Sequence, residues 1–204
     1  MAYSNGKVAG TLIFVAVAQF VLGLIVSEAL YSGYSTSGNY ISDLGVGPSS
    51  IVFNSSVFLL GLLLIVGTYF LQRTFKEYRM LTLMLILTSI GAMGVGVFTE
   101  DFAVLHGIVS LIVFLFGGLS ALFSAICSRV HRFKLVKAPF SVISVILGVV
   151  CLSALLLFAA KMDLGLGMGG MERMITYPGL IWGAGFGGYM LAYPAEGTTE
   201  QKSP

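Results

Sequence analysis

Apolar runs of about 20 residues recur six times along this chain, and the polar residues collect in the short breaks between them. The runs cover roughly residues 8–32, 51–71, 80–98, 105–127, 139–160 and 174–193. A helix of that length crosses the hydrocarbon core of a bilayer and satisfies its own backbone polar groups on the way. The pattern therefore predicts an all-α polytopic membrane protein, a bundle of six transmembrane helices running up and down with short loops. No run carries a charge near its centre; Glu28, the nearest, lies about one turn from the end of the first. That first run is longer than a signal peptide's apolar stretch of roughly 7–15 residues and is read as a retained span. Neither a linker nor an internal repeat divides the chain, so residues 1–204 are expected to form one domain.

Composition agrees and charge adds an orientation. Only 10% of residues are charged and the mean hydropathy is +0.96, far from the quarter or so that is charged in soluble domains. The net charge of +2 conceals an asymmetry. Lys7, Arg73, Lys76, Arg79, Arg129, Arg132, Lys134, Lys137 and Lys202 fall on one side, and only Lys161 and Arg173 on the other. By the positive-inside rule this predicts a cell-membrane protein with both termini cytoplasmic. The basic loops suit topology and anionic lipid, so membrane lipid is the expected partner and nucleic acid is not. Cys127 and Cys151 sit in apolar segments as small hydrophobes and say nothing about compartment.

The carboxylates run the other way, with Glu28, Asp43, Glu100, Asp101, Asp163 and Glu172 all on the outer side. Acidic residues contribute little to topology, which leaves two readings: solvated loops, or a polar site in which carboxylates are paired or perturbed. In the first outer loop Asn39, Ser42 and Asp43 offer oxygen ligands, or simply bond their own turn. In the second, Asp101 suits the N-cap of the fourth helix, although Val104 stands where a capping box needs Glu or Gln. His106 beside Glu100 and Asp101 suits proton transfer or metal binding, or is simply structural. In the third, Glu172 and Arg173 stand at the entrance to the last span, where buried charges must be paired or hydrated. The glycines from Gly165 to Gly170 read as a flexible loop, since no strand precedes them and no Lys-Ser/Thr follows. The sequon Asn54-Ser55-Ser56 lies too near the membrane to be a good glycan acceptor.

Small residues form two stripes. Gly179, Gly183 and Gly187 recur every fourth residue and predict close helix packing, with Pro178 bending or loosening the outer end of that span. Ser110, Gly117, Ala121, Ser124 and Ser128 run down the fourth span and suit either a polar path or packing, packing being preferred.

Several chemistries lack their parts: HExxH, CxxC and GxSxG are all absent. His106 and His131 stand at opposite ends of the fourth span, about 38 Å apart along a helix, so they cannot ligate one haem. The metal, if there is one, is unknown, and oxygen ligands favour Mg²⁺ or Ca²⁺ over Zn²⁺.

The Asn39-Tyr40-Ile41-Ser42-Asp43-Leu44-Gly45 loop, Asn54, Glu100-Asp101 with His106, and Glu172-Arg173 together resemble the prokaryotic six-helix membrane family called domain of unknown function 998. The resemblance covers nearly the whole chain and implies a six-span fold, with no established activity to carry over. The first functional reading is an outer polar site that binds a lipid or small polar ligand or serves only as a fastening network, with Asn39, Ser42, Asp101, Glu172 and Arg173 as ligand contacts. The second is a membrane-embedded, lipid-directed hydrolase or transferase, with Asp43 or Glu100 as base, His106 as proton carrier and Arg173 as anion clamp. A transporter ranks third, because no span has midplane charge or a broken helix.

Overall fold

In the computed structural model, which describes residues 4–130 and 135–192, the chain is all helix and turn, with no sheet among the described residues. Arg132, Lys134 and Lys202, assigned above to the basic side, lie outside them, as does His131. The helices are α1 (Asn5–Leu30), α2 (Ser50–Thr74), α3 (Arg79–Val97), α4 (Ala103–Val130), α5 (Phe140–Ala159) and α6 (Gly167–Leu191). Single 3-10 turns, Ser42–Gly45 and Glu100–Phe102, lead into α2 and α4. The first five helices are long and apolar enough to cross a membrane. The sixth spans 25 residues and carries two charges near its start. This is a polytopic membrane protein.

Each helix packs on the next in sequence, and α6 returns onto α1 to close a ring, with α4 and α6 also touching across it. Glycine allows the closest approaches. A Cβ on Gly10 of α1 would stand 2.7 Å from the carbonyl oxygen of Gly187, and one on Gly187 would stand 2.7 Å from the amide of Phe14. Gly61 meets the Ser89 carbonyl of α3 in the same manner, and Gly91 meets Val113 of α4. Between apolar helices in lipid, such contacts gain dispersion energy that bulkier side chains would hold apart.

The glycine stripe of α6 divides along its length. Gly187 packs on α1 as expected, and a Cβ on Gly183 would touch Val17 at 3.0 Å. Gly179 has nothing within 4 Å of its missing Cβ and lines a cavity instead of a helix contact. The stripe on α4 divides as well. Ala121, Ser124 and Ser128 are buried in the packed half, whereas Ser110 and Gly117 line the same cavity.

The last helix starts seven residues earlier than the hydropathy pattern predicts, at Gly167 in place of residue 174. Glu172 and Arg173 are therefore helical and buried, at 5% and 8% exposure, and do not stand in a loop. Gly167 and Gly169 before them admit a neighbouring backbone. A Cβ on Gly167 would fall 2.2 Å from the Ser37 carbonyl oxygen, and one on Gly169 would fall 2.1 Å from that of Asn39. Glycine lets the first turns of α6 lie directly against the backbone of the α1–α2 connection, where the Gly169 amide donates to the Ser37 carbonyl at 3.0 Å. Pro178 lies buried inside α6, which continues through it to Leu191.

Candidate functional site

At the end of the ring away from the start of α1 and the end of α6, the α1–α2 connection meets the α3–α4 turn and the first turns of α6. The first folds around its own side chains. Asn39 Nδ2 donates to Asp43 Oδ2 at 2.8 Å, the Tyr40 amide donates to the same oxygen at 3.0 Å, and the Ser35 amide donates to Asn39 Oδ1 at 3.0 Å. Asn39 and Asp43 thus shape a turn before they could serve any ligand. Asn54, inside α2, donates to the Gly45 carbonyl at 2.9 Å and fastens the 3-10 turn to that helix.

Arg173 joins this loop to α6 and α1. Its Nη1 donates to the carbonyls of Thr36 (2.8 Å), Asn39 (3.1 Å) and Gly169 (2.9 Å), and its Nη2 donates to Glu28 Oε1 (2.9 Å) and the Tyr34 hydroxyl (2.6 Å). The guanidinium also lies over the Tyr34 ring, 5.4 Å from its centroid. Burial pushes the Tyr34 phenol up to about 12 against the opposing pull of Arg173, so Tyr34 remains a neutral hydroxyl. With both terminal nitrogens engaged by protein and only the buried Nε without a partner, Arg173 is a fastener and offers no two-nitrogen fork to an anion.

The carboxylates form the other half of the cap. Glu172 accepts from the Ile41 amide, and Glu100 Oε1 accepts from Ser42 Oγ at 2.5 Å. Burial raises the pKa of Glu100 and the neighbouring Asp43 carboxylate raises it further, while the Ser42 hydrogen bond and His106 oppose them. His106, in the first turn of α4, has Nδ1 2.8 Å from the Phe98 carbonyl oxygen and Nε2 3.2 Å from Ser110 Oγ. The carbonyl can only accept, so Nδ1 carries the proton and Nε2 faces the serine hydroxyl. Asp101 is exposed and accepts from Thr99 Oγ1 at 3.1 Å, apart from the other groups. Among the described residues no three His, Cys, Asp or Glu side chains gather as a metal site.

Beneath the carboxylates, inside the ring, is a cavity of about 120 Å³. Ser42 and Glu172 line its cap end, and all six helices contribute to its walls. The walls are mainly apolar, and Glu172 is the only acidic or basic side chain among them. Glu172, Thr176, Gly179 and Gly183 share one face of α6 at helical spacing, and all four line it.

A family model described as "Protein of unknown function (DUF998)" matches residues 14–188. The chain belongs to this family. The match runs from inside α1 to the last turn of α6 and so takes in every residue of the cap and of the cavity. No curated protein and no solved structure matches the chain.

The geometry of this DUF998 chain brings Asn39, Ser42, Asp43, Glu100, Glu172 and Arg173 into one connected cap, places His106 at its edge and leaves Asp101 outside. Sequence reasoning missed Tyr34, Thr176 and Trp182, and counted Glu28 only as an outer charge. Thr176 was legible in principle, four residues after Glu172 and three before Gly179 on one helical face. Tyr34 and Glu28 carry no such signal, because their partner lies more than a hundred residues away in sequence.

Proposed function

We propose that this DUF998 protein is a membrane-embedded binding protein for an amphipathic molecule, whose polar group sits at Ser42 and Glu172 while its apolar part enters the ring. The observation that carries this reading is a cavity with a carboxyl group at its cap end and apolar walls below, the usual composition of a small-molecule site. Its volume limits what enters: a dry cavity of about 150 Å³ accommodates benzene, so about 120 Å³ takes a ring or a few carbons of a chain and leaves the rest of a lipid outside. Trp182 is the only tryptophan, lines the cavity and is 4% exposed, so its fluorescence reports on occupancy. Titration of detergent-solubilised protein with 12-bromododecan-1-ol should quench Trp182 saturably. Gly179→Leu, which fills the cavity from a position with open space around it, should abolish the quenching. Linear, unsaturable quenching that survives Gly179→Leu would rule the reading out.

The Ser42–Glu100 contact favours a second reading, because a serine hydroxyl donating to a carboxylate at 2.5 Å is a nucleophile beside a base. A fluorophosphonate probe should then label Ser42 in the native protein and spare it in Glu100→Gln. Absence of an adduct retires the lipid-directed hydrolase or transferase.

We place the cap on the outer face with both termini cytoplasmic, on the strength of the basic residues Lys7, Arg73, Lys76, Arg79 and Lys137 at the opposite end. In a background lacking Cys127 and Cys151, Met162→Cys, exposed at the cap end, should react with an impermeant maleimide in intact cells and Lys76→Cys should not. The reverse pattern inverts the orientation.

A further inference from the structure

We infer that the amphiphile held in this cavity carries an alcohol or ammonium head that donates a hydrogen bond to Glu172, and that anionic amphiphiles are excluded. This rests on the binding reading above and specifies the chemistry of the same site.

The first argument is charge. No lysine, arginine or histidine lines the cavity. Arg173, the nearest cation in sequence, is taken up by Glu28, Tyr34 and three backbone carbonyls. Around the cap end stand also the carboxyl groups of Asp43 and Glu100, with Glu28 and Tyr34 held on Arg173 and His106 held between the Phe98 carbonyl and Ser110. A carboxylate or phosphate brought into the cavity would lose its water, gain no cation from the walls and meet the Glu172 carboxyl group, with Asp43 and Glu100 behind it in the cap. An ammonium or hydroxyl group would instead find an acceptor in Glu172.

The second argument is the set of unused donors. Most hydroxyls lining the cavity are engaged: Ser42 with Glu100, Thr88 with the Met84 carbonyl, Ser110 with His106 and Ser120 with the Phe116 carbonyl. Thr176 is the exception. Its Oγ1 is buried with no partner, although a helical threonine can bond back to the carbonyl four residues earlier, as Thr88 does. Trp182 Nε1, also in the lining, is likewise buried with no partner, and an indole N–H can only donate. Leaving buried donors unpaired is costly, and an oxygen on the ligand would relieve it. A ligand hydroxyl near Glu172 can donate to the carboxyl group and accept from Thr176, one turn further along the same face. An ammonium head can use only the first of these contacts.

The test uses the full chain in dodecyl maltoside at pH 8.5, with Trp182 quenching by 12-bromododecan-1-ol, 12-bromododecylamine and 12-bromododecanoate. The alcohol and amine should bind at least about tenfold more tightly than the carboxylate, the scale of discrimination that a mismatched polar site gives. Glu172→Gln should narrow the amine–carboxylate gap by at least about threefold. Thr176→Val should weaken the alcohol while leaving the amine unchanged. A wild-type protein that binds the carboxylate as tightly as the alcohol overturns the inference while leaving the binding reading intact. An amine–carboxylate gap untouched by Glu172→Gln also overturns it. If Glu172→Gln does not fold, Thr176→Val decides, and equal losses for alcohol and amine count against the proposal. Failure of all three probes to quench saturably removes the binding reading and this inference with it.

Discussion

Replacing Arg173 with methionine keeps the length and apolar stem of the side chain and removes the guanidinium. Three backbone carbonyls, the Tyr34 hydroxyl and the Glu28 carboxylate then lose a shared donor that reaches them at 2.6–3.1 Å. Breaking a buried ion pair by removing one partner costs about 3–5 kcal/mol, mostly because the remaining charge is stranded. Here the Glu28 side chain keeps 26% of its surface exposed, so water recovers part of that loss and the expected cost is near the lower limit, about 3 kcal/mol. For a chain of this size that corresponds to a fall in melting temperature of about 6–12 °C, readable by thermal unfolding in detergent. Arg173→Lys should recover little, because an ammonium cannot reproduce the planar fork. In a double-mutant cycle with Glu28→Gln, the two losses should fall short of additivity by at least about 0.5 kcal/mol. Folded Arg173→Met protein should still bind 12-bromododecan-1-ol with wild-type affinity. A melting point lowered by less than about 2 °C would show that Arg173 does not fasten the loop, and a normal melting point with binding lost would show that it contacts ligand instead.

Gly169→Ala should destabilise by about 1–3 kcal/mol, because its Cβ would fall 2.1 Å from the Asn39 carbonyl oxygen; an unchanged melting point would mean that α6 does not lie on the loop. Gly187→Leu should lower the melting point by pushing α6 off α1, while Gly179→Leu should leave it nearly unchanged; equal effects would contradict the division of the stripe. Glu100 gives a pH signature. Its folded pKa is raised, so its contribution to stability is complete below the ordinary glutamate value of 4.5 and is lost as pH rises through the raised one. Melting temperatures of wild type and Glu100→Gln across pH 4 to 8 should therefore diverge with rising pH, wild type losing ground; divergence in the opposite sense refutes the assignment.

The sequence alone determined the class of fold and most of its boundaries. Six apolar runs between polar breaks leave little choice in a bilayer, where each span must be a helix that satisfies its own backbone. For the first five helices the predicted ends fall within about three residues of the observed ones, a usual margin for helix ends. The start of α6 failed for a physical reason. Hydropathy measures compatibility with lipid, whereas Glu172 and Arg173 are compatible with this protein's interior through partners supplied by residues 28–41. The same limit applies to glycine. A glycine that opens a cavity, one that admits a helix and one that admits a loop carbonyl look identical in sequence. Gly179, Gly187 and Gly169 are separated only by what lies opposite each of them. The cap residues were legible as a set, because polar groups are scarce in an apolar chain and two loops and the start of α6 return them to one face. Which of them are consumed in holding the loops together, as Arg173 is, and which are left facing a cavity, as Glu172 and Thr176 are, was decided by closing the ring of α1 on α6. That closure brings residues more than a hundred positions apart into hydrogen-bond distance, and no local pattern in the chain encodes those distances.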